Sequence, residues 1–248
     1  MRRAGAFPLA ILIVAALAAL SPLPAVGADP AGAARGSRVL ATGDSMIQIV
    51  DSFLASRLER RRGVRVISDA HISTGLSKPF LFNWPKYASG QMRRHRPRVT
   101  VMFIGANDGY PLRTRSGSVA CCGRAWSNQY ARVARRVMRT YRRGAGRVYW
   151  LLLPQARGGP FRQVFPAVNA GLRRAARGMK RVRLVHLNRV FTPHGRFRSA
   201  MRYHGRVVTV RQPDGVHLSV AGASIAATKV IAAIDRDRAL RRRRARRR

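Results

Sequence analysis

From residue 38 to residue 240 the chain repeats one pattern, a short and almost wholly apolar run followed by a longer stretch with apolar residues every three or four positions. The short runs at 39–42, 64–68, 99–104, 148–153 and 182–187 have the length of strands and little polar face, so as strands they must be covered on both sides. The longer stretches supply the covers. In 46–62, Ile47, Val50, Phe53, Leu54 and Leu58 recur at helical spacing, and 126–143, 165–177 and the Ala-rich 220–240 read as helices in the same way. Strands buried on both faces and separated by helices make a parallel sheet. The expected fold is therefore α/β, a three-layer α/β/α domain around a central parallel sheet of about five strands. The stretch after the second strand, containing Gly75, Pro79 and Pro85, reads as a loop. Segments 109–125 and 189–213 read as irregular excursions, the second with room for a hairpin, and no internal repeat is visible.

With 248 residues the chain is long enough for one well-buried domain. Its start has a different character. Met1-Arg2-Arg3 is a short positive opening, 7–20 is apolar apart from Pro8, and Pro22, Pro24 and the small residues of Ala25-Val26-Gly27-Ala28 follow. That is the layout of a secretory signal peptide over 1–28, cleaved after Gly27 or Ala28. An uncleaved anchor is the competing reading, but a run this short barely crosses a bilayer. Residues 29–37 read as a linker, 38–240 as the folded domain, and 241–248 as a basic, disordered tail. The expected location is secreted or cell-envelope.

The formal charge is +40, and only Lys78, Lys86, Lys180 and Lys229 among 49 basic residues are lysine. So lopsided a ratio points to codon bias across a genome rather than to a nucleic-acid surface, and no nucleic-acid module is recognisable. The cluster Arg241 to Arg248 interrupted by Ala245 would attract any polyanion, which for an exported protein means an anionic cell-wall polymer or anionic lipid. The two cysteines, Cys121 and Cys122, are adjacent and have no zinc-ligand spacing. A bridge between neighbours, bonds to another chain and two partly buried thiols all remain open.

In open parallel sheets, sites form beyond the carboxyl ends of the strands, and the polar motifs of this chain gather at such ends. The first predicted strand ends at Gly43-Asp44-Ser45, where glycine allows a tight turn and the serine opens a helix whose unpaired N–H groups suit a developing oxyanion. After the second comes Ser73-Thr74-Gly75-Leu76, whose glycine can bring an N–H close to a ligand. The third ends in Gly105-Ala106-Asn107-Asp108, with a side-chain amide donor. Asp214-Gly215-Val216-His217 stands just before the last helix, and a carboxylate three residues ahead of a histidine can turn back to hold its ring N–H.

These blocks, in this order, resemble the SGNH (GDSL-like) hydrolase superfamily, and Ser73-Thr74-Gly75-Leu76 with Phe82-Asn83-Trp84-Pro85 is similar to its exported bacterial DUF459 branch. The resemblance spans about 38–235. It implies Ser45 as nucleophile, His217 as its general base and Asp214 as the group that orients His217. It also implies an oxyanion hole made of the backbone N–H groups of Ser45 and Gly75 and the side chain of Asn107. Asp44 and Asp108 are expected to brace loops rather than to move protons. Taken without the other blocks, Ser45 would be an N-cap, and Asn107 and Gly75 turn residues. His71, His95, His186, His194 and His204 lack motif context, and Trp84 and Trp126 are expected in packing rather than on a substrate groove. No G-x-S-x-G elbow, G-x-x-x-x-G-K loop or H-E-x-x-H helix occurs, so neither a metal nor a nucleotide cofactor is implied.

The implied activity is hydrolysis of acyl esters, acetyl above all, through a Ser-His-Asp acyl-enzyme, on O-acetylated glycans or lipids outside the cytoplasm. An O-acyltransferase acting on envelope polysaccharide would use the same residues with a different acceptor. A non-catalytic polyanion-binding envelope protein would have no use for the intact set. The export reading has a direct check: N-terminal sequencing of protein from outside the producing cell should begin near Ala28 or Asp29, and intact Met1 in a soluble cytosolic fraction would overturn it.

Overall fold

The computed structural model describes residues 36–241; the export segment 1–28, nearly all of the linker 29–37 and the tail beyond Arg241 lie outside them. Five strands form the central sheet: β1 (Ser37–Gly43), β2 (Val64–Ala70), β3 (Val99–Phe103), β6 (Arg147–Leu151) and β7 (Val182–Val185). They are ordered β2-β1-β3-β6-β7 and every neighbouring pair is parallel. β3 is buried along its whole length and β6 along all but its first residue, as runs without a polar face require.

Two layers of helix cover the sheet. α1 (Val50–Leu58) packs against α6 (Val220–Arg236); α2 (Trp84–His95), α3 (Arg124–Tyr141) and α4 (Phe161–Ala176) pack in series, α3 against both others. A short helix α5 (Leu187–Phe191) follows β7. This is the three-layer α/β/α arrangement, with Trp84, Trp126 and Trp150 all fully buried.

Several elements depart from the sequence reading, each for a local reason. α2 occupies what reads as a loop, because Pro85 sits in its first turn, where a missing N–H costs nothing, and the Asn83 side chain caps the Lys86 N–H at 3.0 Å. α1 begins at Val50 rather than at residue 46, since residues 45–49 form turns and Ile49 has φ 68°, outside the helical region. Segment 109–125 contains a hairpin, β4 (Leu112–Thr114) with β5 (Gly117–Val119), and segment 189–213 contains another, β8 (Ala200–Tyr203) with β9 (Arg206–Thr209). Cys121 and Cys122 are joined to each other by a disulfide.

β1 and β3 leave no room for a side chain at the carboxyl end of β1. Gly43 has φ 153°, and a Cβ there would lie 1.9 Å from the backbone oxygen of Phe103. Neither strand can retreat, because each also pairs on its other edge. Gly43→Ala should therefore cost about 3–5 kcal/mol of stability in urea unfolding, and a loss below about 1 kcal/mol would contradict this account.

Candidate active site

The turn after β1 is organised by Asp44, which is fully buried. Its Oδ1 accepts the Met46 N–H at 2.9 Å, and its Oδ2 accepts the N–H groups of Gly105 at 2.9 Å and Ala106 at 3.0 Å, with the Asn107 amide Nδ2 at 3.4 Å. One carboxylate thus ties the loop that carries Ser45 to the loop that carries Asn107. Burial pushes the Asp44 pKa up to about 6, the N–H bonds from Gly105, Met46 and Ala106 pull it back, and neighbouring Asp108 adds to the rise.

Asp108 does the same for the next pair of loops. Its Oδ1 accepts the Ser77 N–H at 2.6 Å and its Oδ2 the Tyr130 hydroxyl at 2.6 Å, while Ser77 Oγ accepts the N–H groups of Gly109 and Tyr110 at 3.2 Å each. Burial raises the Asp108 pKa, and its hydrogen bonds from Tyr130 and Ser77 oppose that rise. Both acids brace loops, as read from the sequence.

On this frame the Ser45 Oγ lies 2.8 Å from His217 Nε2, and His217 Nδ1 lies 2.5 Å from Asp214 Oδ2. The other Asp214 oxygen accepts the N–H groups of Val216 at 2.8 Å and His217 at 3.0 Å. What burial Asp214 has would raise its pKa, but the His217 ring and the two backbone N–H groups outweigh this and hold it below the ordinary carboxylate value. The Asp214–His217 turn is carried by two devices. Arg211 and Leu218 pair as an antiparallel bridge, and the Gln212 N–H donates to the His217 carbonyl at 2.9 Å. Beneath the turn Arg211 is only 2% exposed, and its guanidinium donates to the carbonyls of Gln155 at 3.1 Å, Gly215 at 3.0 Å and Val216 at 2.8 Å. Burial lowers the Arg211 pKa to about 10, with Asp214 opposing the fall, so it stays charged at neutral pH. Nothing in the residue pattern singled out Arg211; one arginine among 45 carries no signal of its own.

Ser45, Asn107 and His217 line one cleft of about 440 Å³. Its remaining wall comes from Gln48, Ile49, Ile72, Ser73, Gln212 and parts of Met46 and Leu218, of which only Ser73 lies in a motif. Gly75, expected at the oxyanion position, is not on that wall. It is buried, and a Cβ there would lie 2.7 Å from Asp108 Oδ1, so packing against the Asp108 carboxylate accounts for a glycine at this position. Ser73, with φ 61°, stands at the cleft instead. Ile49 is a β-branched residue held at φ 68° on the same wall, a conformation costing about 1–3 kcal/mol that the surrounding packing must offset. Trp84 and Trp126 are buried, their ring N–H groups donating to Thr74 Oγ1 and the Tyr110 carbonyl.

Residues 38–233 match the model of a family described as a protein of unknown function, DUF459. The chain belongs to that family. Among solved structures, this DUF459 chain is similar to the C-terminal catalytic domain of peptidoglycan O-acetyltransferase A from Streptococcus pneumoniae (12% identity, 82% of this chain and 95% of that one, TM-score 0.54). It is also similar to a catalytic mutant of an acetylxylan esterase from Geobacillus stearothermophilus (14% identity, 80% and 95% covered, TM-score 0.53). A GDSL-like lipase from Bacteroides thetaiotaomicron resembles it as well (13% identity, 81% and 89% covered, TM-score 0.51). At these identities the likeness is one of fold, and the fold is that of the SGNH hydrolases. No curated protein sequence matches the chain.

The raised pKa of Asp44 makes a signed prediction. An acid whose folded pKa lies above its unfolded value of 3.8 adds stability below pH 3.8 and loses it as pH rises to about 6. Relative to Asp44→Asn, the wild-type DUF459 domain should therefore lose about 2 kcal/mol between pH 4 and pH 6.5, read by urea unfolding across that range. A difference independent of pH would mean that Asp44 does not titrate in this window.

Proposed function

We propose that this DUF459 protein is an exported serine hydrolase that cleaves acyl esters, acetyl esters above all, through an acyl-enzyme on Ser45. The observation that carries the reading is the unbroken hydrogen-bonded line from Ser45 Oγ through His217 to Asp214 at the wall of an open cleft. The esterases and lipases that share the fold support the reaction class.

In this mechanism Ser45 Oγ attacks the ester carbonyl carbon while His217 Nε2 takes the hydroxyl proton. Asp214 fixes the tautomer in which Nδ1 carries the other proton, and stabilises the imidazolium as it forms. The negative charge moves to the carbonyl oxygen. The Ser45 N–H and the Asn107 side chain are its donors, and Asp44, by taking one amide hydrogen of Asn107, leaves the second for the oxyanion. Collapse of the tetrahedral adduct breaks the carbon–oxygen bond and returns the proton from His217 to the leaving alcohol. A water, deprotonated by the same His217, then attacks the acyl-Ser45 ester and regenerates the hydroxyl.

A second reading, transfer of the acyl group to a sugar hydroxyl instead of water, is favoured by one feature of the cleft. Gln48, Ser73, Asn107 and Gln212 offer hydrogen bonds to a polyhydroxylated acceptor. An envelope polysaccharide would be such an acceptor, and the acetyltransferase of like fold supports this alternative. Acyl release measured with and without a sugar acceptor separates the two: transfer gives an acylated sugar and suppresses free acid.

Fluorophosphonate labelling and a panel of acyl esters test the mechanism. Ser45→Ala and His217→Ala should each lower kcat by about 10⁴ or more without unfolding the protein, and the double variant should be scarcely worse than either. Asp214→Asn should cost less, and Asn107→Ala about 10²–10³. Near-full hydrolysis by Ser45→Ala, or turnover abolished by Asp108→Asn in a folded protein that still labels at Ser45, would sink the serine mechanism.

A further inference from the structure

We infer that the groove between the β4–β5 hairpin and α3 is a binding site for an acidic polysaccharide, separate from the Ser45 cleft and not dependent on the proposed reaction. The groove has a volume of about 790 Å³, against about 440 Å³ for the Ser45 cleft, and no residue lines both. Four arginines line it, Arg113 and Arg115 from the hairpin and Arg132 and Arg136 from α3, and no carboxylate does. All four are exposed. Among the described residues the ion pairs are Arg61–Asp235, His71–Asp69, Arg183–Asp237 and His217–Asp214, so no described carboxylate pairs with any of the four.

The arrangement is held rather than merely crowded. Arg132 and Arg136 are one helical turn apart and share a face of α3, and Arg113 and Arg115 occupy alternate positions of the hairpin arm and its turn. Gln129 joins the two rows: its Nε2 donates to the Arg113 carbonyl at 2.6 Å and its Oε1 accepts from the Arg132 guanidinium at 2.9 Å. The fold thus gathers four like charges around an open groove, a repulsive arrangement until counter-charge arrives. Guanidinium groups present planar forks that match carboxylate, sulfate and phosphate.

The chemistry of the lining narrows the ligand. One small anion would satisfy one or two guanidinium groups, whereas two rows across a groove call for acidic groups repeated along a chain. No aromatic ring lines the groove, so it has no platform for stacking nucleic-acid bases. Gln129, Thr114 and Ser116 offer instead amide and hydroxyl groups suited to sugar hydroxyls.

A charge-matched comparison tests this on the mature protein, because a chain of +40 attracts any polyanion to some extent. One variant carries Arg113→Gln, Arg115→Gln, Arg132→Gln and Arg136→Gln. The control carries Arg60→Gln, Arg65→Gln, Arg206→Gln and Arg236→Gln, four exposed arginines outside the groove that lose the same charge. Polygalacturonate titrated at about 0.15 M salt should bind the groove variant about tenfold or more weakly than wild type, and the control within about threefold of wild type. Labelling of Ser45 by a fluorophosphonate should be unchanged in both. Equal losses in the two variants, or none in the groove variant, would overturn the site and leave only diffuse attraction. Single-stranded DNA bound as tightly as polygalacturonate, with the same dependence on the groove, would overturn the ligand class. If the fourfold groove variant fails to fold, Arg132→Gln with Arg136→Gln should still weaken binding about threefold, and binding unchanged by that pair would refute the proposal.

Discussion

The buried carboxylate of Asp44 is the interaction on which the site depends. A carboxylate leaves water only when enough donors replace its hydration, and here three backbone N–H groups from two separate strand ends do so. The dependence is mutual, since those same N–H groups, buried in tight turns, have no strand partner and would be left unpaired without it. The cost shows in the raised pKa; the return is that Ser45 and Asn107, one residue from the acid and one from its acceptors, hold fixed places relative to each other. Asp108 repeats the device one loop over, bonding to Ser77 and Tyr130.

Only nine acidic residues stand against 49 basic ones, and the scarcity shapes the whole molecule. The few acids serve at points of high demand: Asp44 and Asp108 under the loops, Asp214 behind His217, and Asp69 joined to Gln91, Tyr87 and His71 at the end of β2. Most arginines cannot find a carboxylate, and many find backbone carbonyls instead. Arg135 donates to the carbonyls of Ala175 and Arg177 at the end of α4, and Arg98 to that of Ala239 just beyond α6. The carbonyls at a helix carboxyl end are unpaired and carry the negative pole of the helix, so they take a cation readily. Arg211 under the Asp214–His217 turn is the same solution applied at the site, a buried cation whose two terminal nitrogens donate to three carbonyls.

The cleft and the arginine groove divide the surface by chemistry. Around Ser45 the wall is made of neutral hydrogen-bonding and aliphatic side chains, and His217 is its only titratable member. Around Gln129 the wall is cationic. The strand-end turns that make the first are short and internally bonded, while the hairpin that makes the second with α3 lies in the β3–α3 connection, its turn residues Arg115 and Ser116 exposed. Exposed residues of such a hairpin can change in charge without disturbing the packing that positions Ser45.

The sequence by itself determined the layers and the chemistry at their edge. Short, nearly all apolar runs read as strands of a covered sheet and helical periodicity as its covers, so five parallel strands and the gathering of Ser45, Asn107 and His217 at their carboxyl ends were legible, although β2 and β7 prove to be half-exposed edge strands. Helix α2 was not, because Pro85 carries the same letter in a loop and in a first helical turn, and only the Asn83 cap and the packing of Trp84 choose between them. Nor was the placing of Gly75, whose need for a small residue comes from Asp108, 33 positions away. The cleft wall of Gln48, Ile49, Ile72 and Gln212, the Arg211 strut and the pairing of arginines across Gln129 were decided by tertiary structure alone. Each joins residues distant along the chain or without a local pattern, and periodicity reports only which side of its own element a residue faces, never what another element brings to meet it.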